Sequence, residues 1–243
     1  MDIDRELEEI KKELIQSCAI CGGTGYGETG DPCECMKEFR VWNRMYPHGF
    51  GRDYLRLQYE EVIDKIVFEK QEDRNIVDWY VKNMDKVFRN GLSLYIWGRA
   101  YGVGKSTLSV LLVKQFARWA LFSPKYIHEF EGHYMDVVEI LKWDEMKDID
   151  TATILVIDEF GKRVLSKEQE AIKIEKYLRN RVKSEKAVII VGNISPQDIA
   201  AQYSESLAEF IGVNGDTVES NVFRSVHVVG ESFRTMKIES KWR

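Results

Sequence analysis

The order of apolar and polar positions changes character along the chain. Residues 2–16 carry Ile3, Leu7, Ile10 and Leu14 at spacings of four and three, which gathers them on one stripe of a helix with charges around the rest. Over 17–32 the pattern stops. Five of these sixteen residues are glycine, too many for a helix or strand to tolerate, so the stretch reads as a loop. Residues 36–90 mix aromatics with charges, and Ile76, Trp79, Tyr80, Met84, Val87 and Phe88 predict a helix laid on a later core and ended by Asn90-Gly91.

After Gly91 the apolar runs become short and regular. Runs at 92–97, 126–130, 153–157, 187–191 and 226–229 predict five strands. Between them, 105–122 and 167–183 are amphipathic and long enough for crossover helices, which implies a mainly parallel sheet covered on both faces. Ser195-Pro196 predicts a further helix start, with the serine as N-cap, proline in the first turn and Asp198 beside the positive end. The expected fold is therefore α/β, a five-stranded mainly parallel sheet sandwiched by helices, preceded by a small N-terminal module. The expected organisation is 1–40 as helix and cysteine module, 41–90 as linker and lead-in helices, and 91–243 as the core.

With 243 residues, 44% of them hydrophobic, the chain can bury one substantial domain plus an appendage. Its 35 Lys+Arg against 40 Asp+Glu give a net charge of -5, so any contact with nucleic acid has to be local. No apolar run approaches the roughly 18 residues a membrane helix needs, and the opening MDIDRELEEIKKEL is acidic where a secretory signal is basic then apolar. The expected location is the cytoplasm, with no membrane partner.

The strongest chemical signal is Gly102-Val103-Gly104-Lys105-Ser106-Thr107, set between a predicted strand and a predicted helix. Glycines let the backbone curl around an anion and aim amides at phosphate oxygens, the helix N-terminus adds partial positive charge, and Lys105 reaches the outer phosphates. Ser106 would hold Mg²⁺. Strict GxxxxGK[ST] spacing asks for glycine at position 99, which is Arg99, and the preceding glycine is Gly98, one residue early. The run at 153–157 ends in Asp158-Glu159: Asp158 would face the metal, and Glu159 would orient and deprotonate the water attacking the γ-phosphate, as a hydrolase requires and a small-molecule kinase does not. Asn193 follows the next strand, where ligands of open α/β sheets sit, and is a candidate γ-phosphate sensor. Arg224 and Arg234 flank the last strand, each a permanently charged fork suited to phosphate.

In this order the motifs NGLSLYIWG, GVGKST, TILVIDEFG, VIIVGN and SNVFRSVHVVGESFR resemble the DnaC, DnaI and IstB family of AAA+ ATPases over about residues 50–234. The resemblance implies that 91–243 is a P-loop NTPase core of the AAA+ class. Arg224 then corresponds to an arginine finger acting on a neighbouring subunit, although Phe223 stands where the family usually has Asp. Arg234, in Gly230-Glu-Ser232-Phe-Arg234, corresponds to a second nucleotide-sensing arginine. The family implies a slow, partner-dependent ATPase that loads a hexameric replicative helicase onto single-stranded DNA and self-associates through its ATP sites. The IstB branch, which assists a transposase, is the alternative reading, and a zinc-dependent adaptor that binds nucleotide without useful hydrolysis is a third.

All four cysteines, Cys18, Cys21, Cys33 and Cys35, fall within one short stretch as CxxC, an eleven-residue spacer and CxC. Four thiolates suffice for a closed tetrahedral Zn²⁺ site, and so small a module has too little core to hold itself without a metal; an iron-sulfur cluster and, given the narrow CxC, four reduced thiols without a metal are the alternative readings. Lys37, Arg40 and Arg44 interleave with Phe39, Trp42 and Tyr46, a mixture able to stack bases, but the aromatic spacing is helical and core packing is the expected role. His48, His128, His133 and His227 show no ligand spacing and receive no role.

Overall fold

The computed structural model describes residues 2–126, 130–142, 151–161, 167–211 and 222–230. In chain order its elements are α1 (Ile3–Lys11), α2 (Glu34–Met45), α3 (Tyr59–Val62), β1 (Val67–Phe68), α4 (Gln71–Lys82), α5 (Met84–Asn90), β2 (Ser93–Trp97) and α6 (Lys105–Leu121). They continue with β3 (Gly132–Asp136), α7 (Val137–Lys142), β4 (Ile154–Phe160), α8 (Lys167–Lys183), β5 (Ala187–Gly192), α9 (Pro196–Gln202), α10 (Glu205–Ile211) and β6 (Phe223–Val229).

Six strands, not five, form the sheet among the described residues, in the order β1-β6-β2-β5-β4-β3. The neighbours β6/β2, β2/β5, β5/β4 and β4/β3 pair in parallel, and two-residue β1 adds antiparallel to β6 through Val67↔Val229 and Phe68↔Val228. So short a strand leaves no alternation to read. The strand expected at 126–130 is also displaced. Tyr126 lies in a turn with its ring on Phe88 and Trp119 and its hydroxyl donating to Asp85, Phe130 is outside the sheet, 127–129 lie outside the described residues, and the strand is Gly132–Asp136. As an edge strand β3 keeps polar positions half exposed, which hides it from a search for apolar runs.

Alternate residues of the central strands enter separate cores on the two sheet faces. Ile154 and Val156 of β4 join Leu108, Leu111, Leu112 and Phe116 of α6, whereas Leu155 and Ile157 join Ile174 and Leu178 of α8 and Leu207 of α10. Parallel strands covered on both faces are buried along their length, and every residue of β5 is. Arg181 of α8 is buried and donates to the Ala152 and Ala187 carbonyls, tying the starts of β4 and β5 together.

The helix expected over 2–16 forms as α1 followed by a wider turn at Lys12–Gln16, and Ile10 of its stripe is fully buried. The lead-in helix is two helices, α4 and α5, broken at Asn83, and Gly91 caps α5 in the left-handed conformation at φ 59. Ser195 caps α9 as expected, accepting from the Asp198 amide. Trp42 is fully buried, and Phe39 and Tyr46 pack against the same core, so the aromatics of α2 serve packing. No helix among the described residues is long and apolar enough to cross a membrane.

Candidate functional site

The C-terminal ends of β2, β4 and β5 lie side by side, with Trp97 level with Gly192 and Gly192 level with Phe160. The segments 98–104 and 193 that leave β2 and β5, and residues 158–159 in the last part of β4, therefore converge, as ligand-binding segments do at the carboxyl edge of open α/β sheets. They line a cavity of about 370 Å³ with Tyr54, Tyr101, Gly102, Gly104, Lys105, Ser106, Thr107, Asp158, Glu159 and Asn193 on its walls. That volume lies in the range of small-molecule sites.

Gly102 (φ 77) and Gly104 (φ 95) take left-handed conformations that reverse the chain into the first turn of α6, and Val103 between them is buried. Gly102, Gly104, Lys105, Ser106 and Thr107 thus line the cavity at a helix N-terminus, the kind of arrangement that holds phosphate. Lys105 is 7% exposed, and its ammonium donates to the carbonyls of Gly98 (2.8 Å) and Ala100 (2.7 Å). Burial lowers its pKa, opposed by the charge of Asp158. The displaced glycine has a steric cause of its own. A Cβ on Gly98 would lie 2.1 Å from the Val228 carbonyl oxygen, so β6 approaches the start of the loop too closely for any side chain. The loop spans one residue more than strict spacing provides, with Arg99 turned outward to Asp198 (3.4 Å).

The ladder between β4 and β5 shifts register between Ile157 and Phe160, and within that irregularity Glu159 has φ 57. A non-glycine residue held there is strained, and such strain concentrates at functional positions. Asp158 accepts from the Glu159 amide (2.7 Å) and, through its other oxygen, from the Tyr134 hydroxyl of β3. Burial, then the adjoining Asp158 charge, pushes the Tyr134 phenol well above its usual pKa, which keeps it a donor. Tyr134 and the wall residue Tyr54 escaped the sequence reading, because nothing local marks a tyrosine whose partner is created by strand pairing. Asn193 reaches the cavity after Gly192, whose missing Cβ makes room for the Tyr95 hydroxyl and the Phe160 carbonyl.

Arg224 is not gathered here. It lies inside β6, not before it, paired with Leu94 near the start of β2 and lining a different hollow with Ile76, Trp79 and Tyr80. Three strand residues, about 10 Å, separate its level from Trp97. The strand starts at Phe223 because that side chain is buried against Phe210. Arg234 lies outside the described residues.

The four cysteines converge about 20 residues from the chain start. Cys18 Sγ is 3.9 Å from Cys33 Sγ, Cys21 Sγ is 3.5 Å from Cys35 Sγ, and all four lie within 4.8 Å of one another. Tetrahedral Zn²⁺ with bonds near 2.3 Å places its sulfurs about 3.8 Å apart, so the set fits that ion. The tight CxC works because Cys33 is the extended N-cap of α2 while Cys35 is already in its first turn. Gly22, Gly23 and Gly25 take positive φ around the first pair, and the Gly25 amide donates to Cys21 Sγ (3.2 Å). Burial opposes ionisation of the Cys21 thiol, but hydrogen bonds from the Gly25 amide and the neighbouring thiols bring its pKa down to about 6, so one thiolate is present near neutrality.

No protein-family model and no curated protein matches this chain. Solved structures do. A crystal structure of the DnaC helicase loader matches with TM-score 0.54 at 17% identity over 74% of this chain and 100% of that one. The crystal structure of DnaI matches with TM-score 0.55 at 16% identity over 80% of this chain and 100% of that one. The replication initiator DnaA bound to AMPPCP and single-stranded DNA matches with TM-score 0.50 at 16% identity, over 73% and 51%. At these identities the likeness is one of fold. The chain has an α/β architecture similar to that of the DnaC and DnaI structures, with a four-cysteine cluster ahead of the core.

Proposed function

We propose that this protein is an AAA+ ATPase that binds a hexameric replicative helicase and loads it on single-stranded DNA, with ATP switching it between holding and releasing its partner. The observation that carries this reading is the convergence of Lys105, Ser106, Asp158, Glu159 and Asn193 on one cavity at the carboxyl edge of a sheet shared with DnaC and DnaI structures. Amides 102–107 bind the phosphates, and Lys105 leaves its two loop carbonyls for the outer ones. Ser106 and Asp158 would hold Mg²⁺, which would supply neutralisation of the phosphate charge. Tyr134 fixes the Asp158 carboxylate, Glu159 orients a water and takes its proton, and Asn193 senses the γ-phosphate.

Arg224 stands too far from this chain's own cavity to serve it and acts on that of a neighbouring copy, so ATP sites form between self-associated subunits, with Arg234 as the second sensing arginine. Residues 1–40 form a Zn²⁺-held docking module, 41–90 connect it, and 91–243 are the ATPase core of a cytoplasmic protein. The test is co-purification with a hexameric replicative helicase in ATP and in ADP. Capture is expected to depend on nucleotide and to be lost in Cys18→Ser/Cys21→Ser, whereas Glu159→Gln holds the partner without release. A helicase captured equally in both nucleotides and without the cysteines sinks the loader reading, and indifference to Glu159→Gln favours a nucleotide-binding adaptor.

A further inference from the structure

Folding brings together three ligand groups that the sequence scatters over more than 80 positions. His48 ends a short turn, Tyr46–His48, while Glu131 and His133 stand two apart at the start of edge strand β3 and therefore share a face. The turn lies directly against β3: Gly49, at φ 92, packs so closely there that a Cβ would lie 2.4 Å from the Tyr134 carbonyl oxygen. The His48 and His133 rings are 4.2 Å apart at their centroids, His133 Nε2 is 2.8 Å from Glu131 Oε1, and one ligand atom from each residue lies within 4.8 Å of the other two.

We propose that His48, Glu131 and His133 form a second metal site, for a divalent first-row transition ion such as Zn²⁺, separate from the four thiols. Imidazole nitrogens bind such an ion at about 2.0–2.1 Å and a carboxylate oxygen at about 2.0–2.2 Å, which sets donors roughly 3.3 Å apart, within half an ångström or so of the 2.8 Å between His133 Nε2 and Glu131 Oε1 and inside the 4.8 Å that spans the three. Two histidines and one carboxylate leave the fourth position to water or an incoming ligand. The ion takes the place of the His133 Nε2 contact with Glu131, and a neutral His133 ring ligating through Nε2 carries its proton on Nδ1. Thr151 Oγ1 donates to Glu131 Oε1 (2.8 Å) and orients the carboxylate as outer groups of metal sites do. Occupancy pins the 46–49 turn to β3 beside Tyr134, the residue that holds Asp158.

The test is titration of the nucleotide-free, full-length protein with Co²⁺, read by absorption and by equilibrium dialysis. Thiolate-to-cobalt charge-transfer bands report the cysteine cluster, and a further equivalent without such bands reports this site, whatever the outcome for helicase binding. That further equivalent is expected in the wild type, absent in His48→Ala and His133→Ala, at least tenfold weaker in Thr151→Ala, and displaced by Zn²⁺. Melting in EDTA shows whether the variants are folded. Wild-type protein that takes up no Co²⁺ beyond the thiolate-bound equivalent overturns the site without recourse to any variant. So does a further equivalent that persists unchanged in folded His48→Ala and His133→Ala.

Discussion

Glu159 is held at φ 57, a conformation that costs a side-chain-bearing residue about 1–2 kcal/mol and costs glycine little. Glu159→Gly should therefore raise the urea midpoint of unfolding, by up to about 1 kcal/mol in stability, while ATP hydrolysis falls at least about 100-fold. Glu159→Gln should lose hydrolysis equally and gain no stability. Gly98→Ala is the opposite case, since its Cβ would meet the Val228 carbonyl oxygen at 2.1 Å. It should cost about 3 kcal/mol or more, with nucleotide affinity lost in whatever folds, as equilibrium binding of a fluorescent ATP analogue would report. Residues of this kind divide by legibility. Asp158 and Glu159 close the apolar run of β4, Asn193 follows β5, and Lys105 and Ser106 open α6 after the glycine loop that leaves β2, so apolar runs point to them. Tyr134 and His48 owe their surroundings to an edge pairing and to the close approach of Gly49, neither of which has a local signature.

Between elements, two contacts of different kind attach the N-terminal helices to the core. On the surface, Arg52 binds Glu6, Glu9 and Glu13 of the first helical stretch, and Arg56 binds Glu13. Burial opposes ionisation of Glu13, but hydrogen bonds from Arg52 and Arg56 outweigh it and hold the carboxyl below its ordinary value of 4.5. Because the folded-state pKa is the lower one, this stabilisation is complete above the ordinary value and fades as pH falls below it. Hydrogen exchange of the α1 amides should accelerate there before the sheet amides do. In the interior, Lys114 of α6 pairs with Glu38 of α2 and donates to the carbonyls of Leu55 and Leu57, while Glu38 also accepts from Trp42 and Arg118. Removing one partner strands a buried charge, so Lys114→Ala should destabilise by about 3–5 kcal/mol, and Glu38→Leu with Lys114→Met should recover most of that. Chemical denaturation of the three proteins decides it. Sequence periodicity resolved the amphipathic helices α6 and α8 and the apolar runs of β2, β4 and β5, and missed β1 and the position of β3, where two residues or half-exposed alternation leave little signal.

At the scale of the molecule, the α/β class and helix-covered parallel sheet followed from the rhythm of apolar runs, whereas strand order depended on pairings that the rhythm does not encode. The placing of Arg224 near the start of β2 makes complementation the natural assay of assembly. Arg224→Ala and Glu159→Gln chains should each be inactive alone, and mixing them should restore hydrolysis at mixed junctions; a mixture as silent as its components would count against the shared site. The pairing of α2 with α6 reaches further. Cys33 and Cys35 begin one helix, the glycine-bearing loop 98–104 runs into the other, and a buried ion pair joins the two. Whatever grips the thiol end thereby bears on the frame that presents the amides, and thermodynamic reciprocity fixes the result: a partner held tenfold more firmly in ATP must, once seated, sharpen the grip on ATP by the same factor.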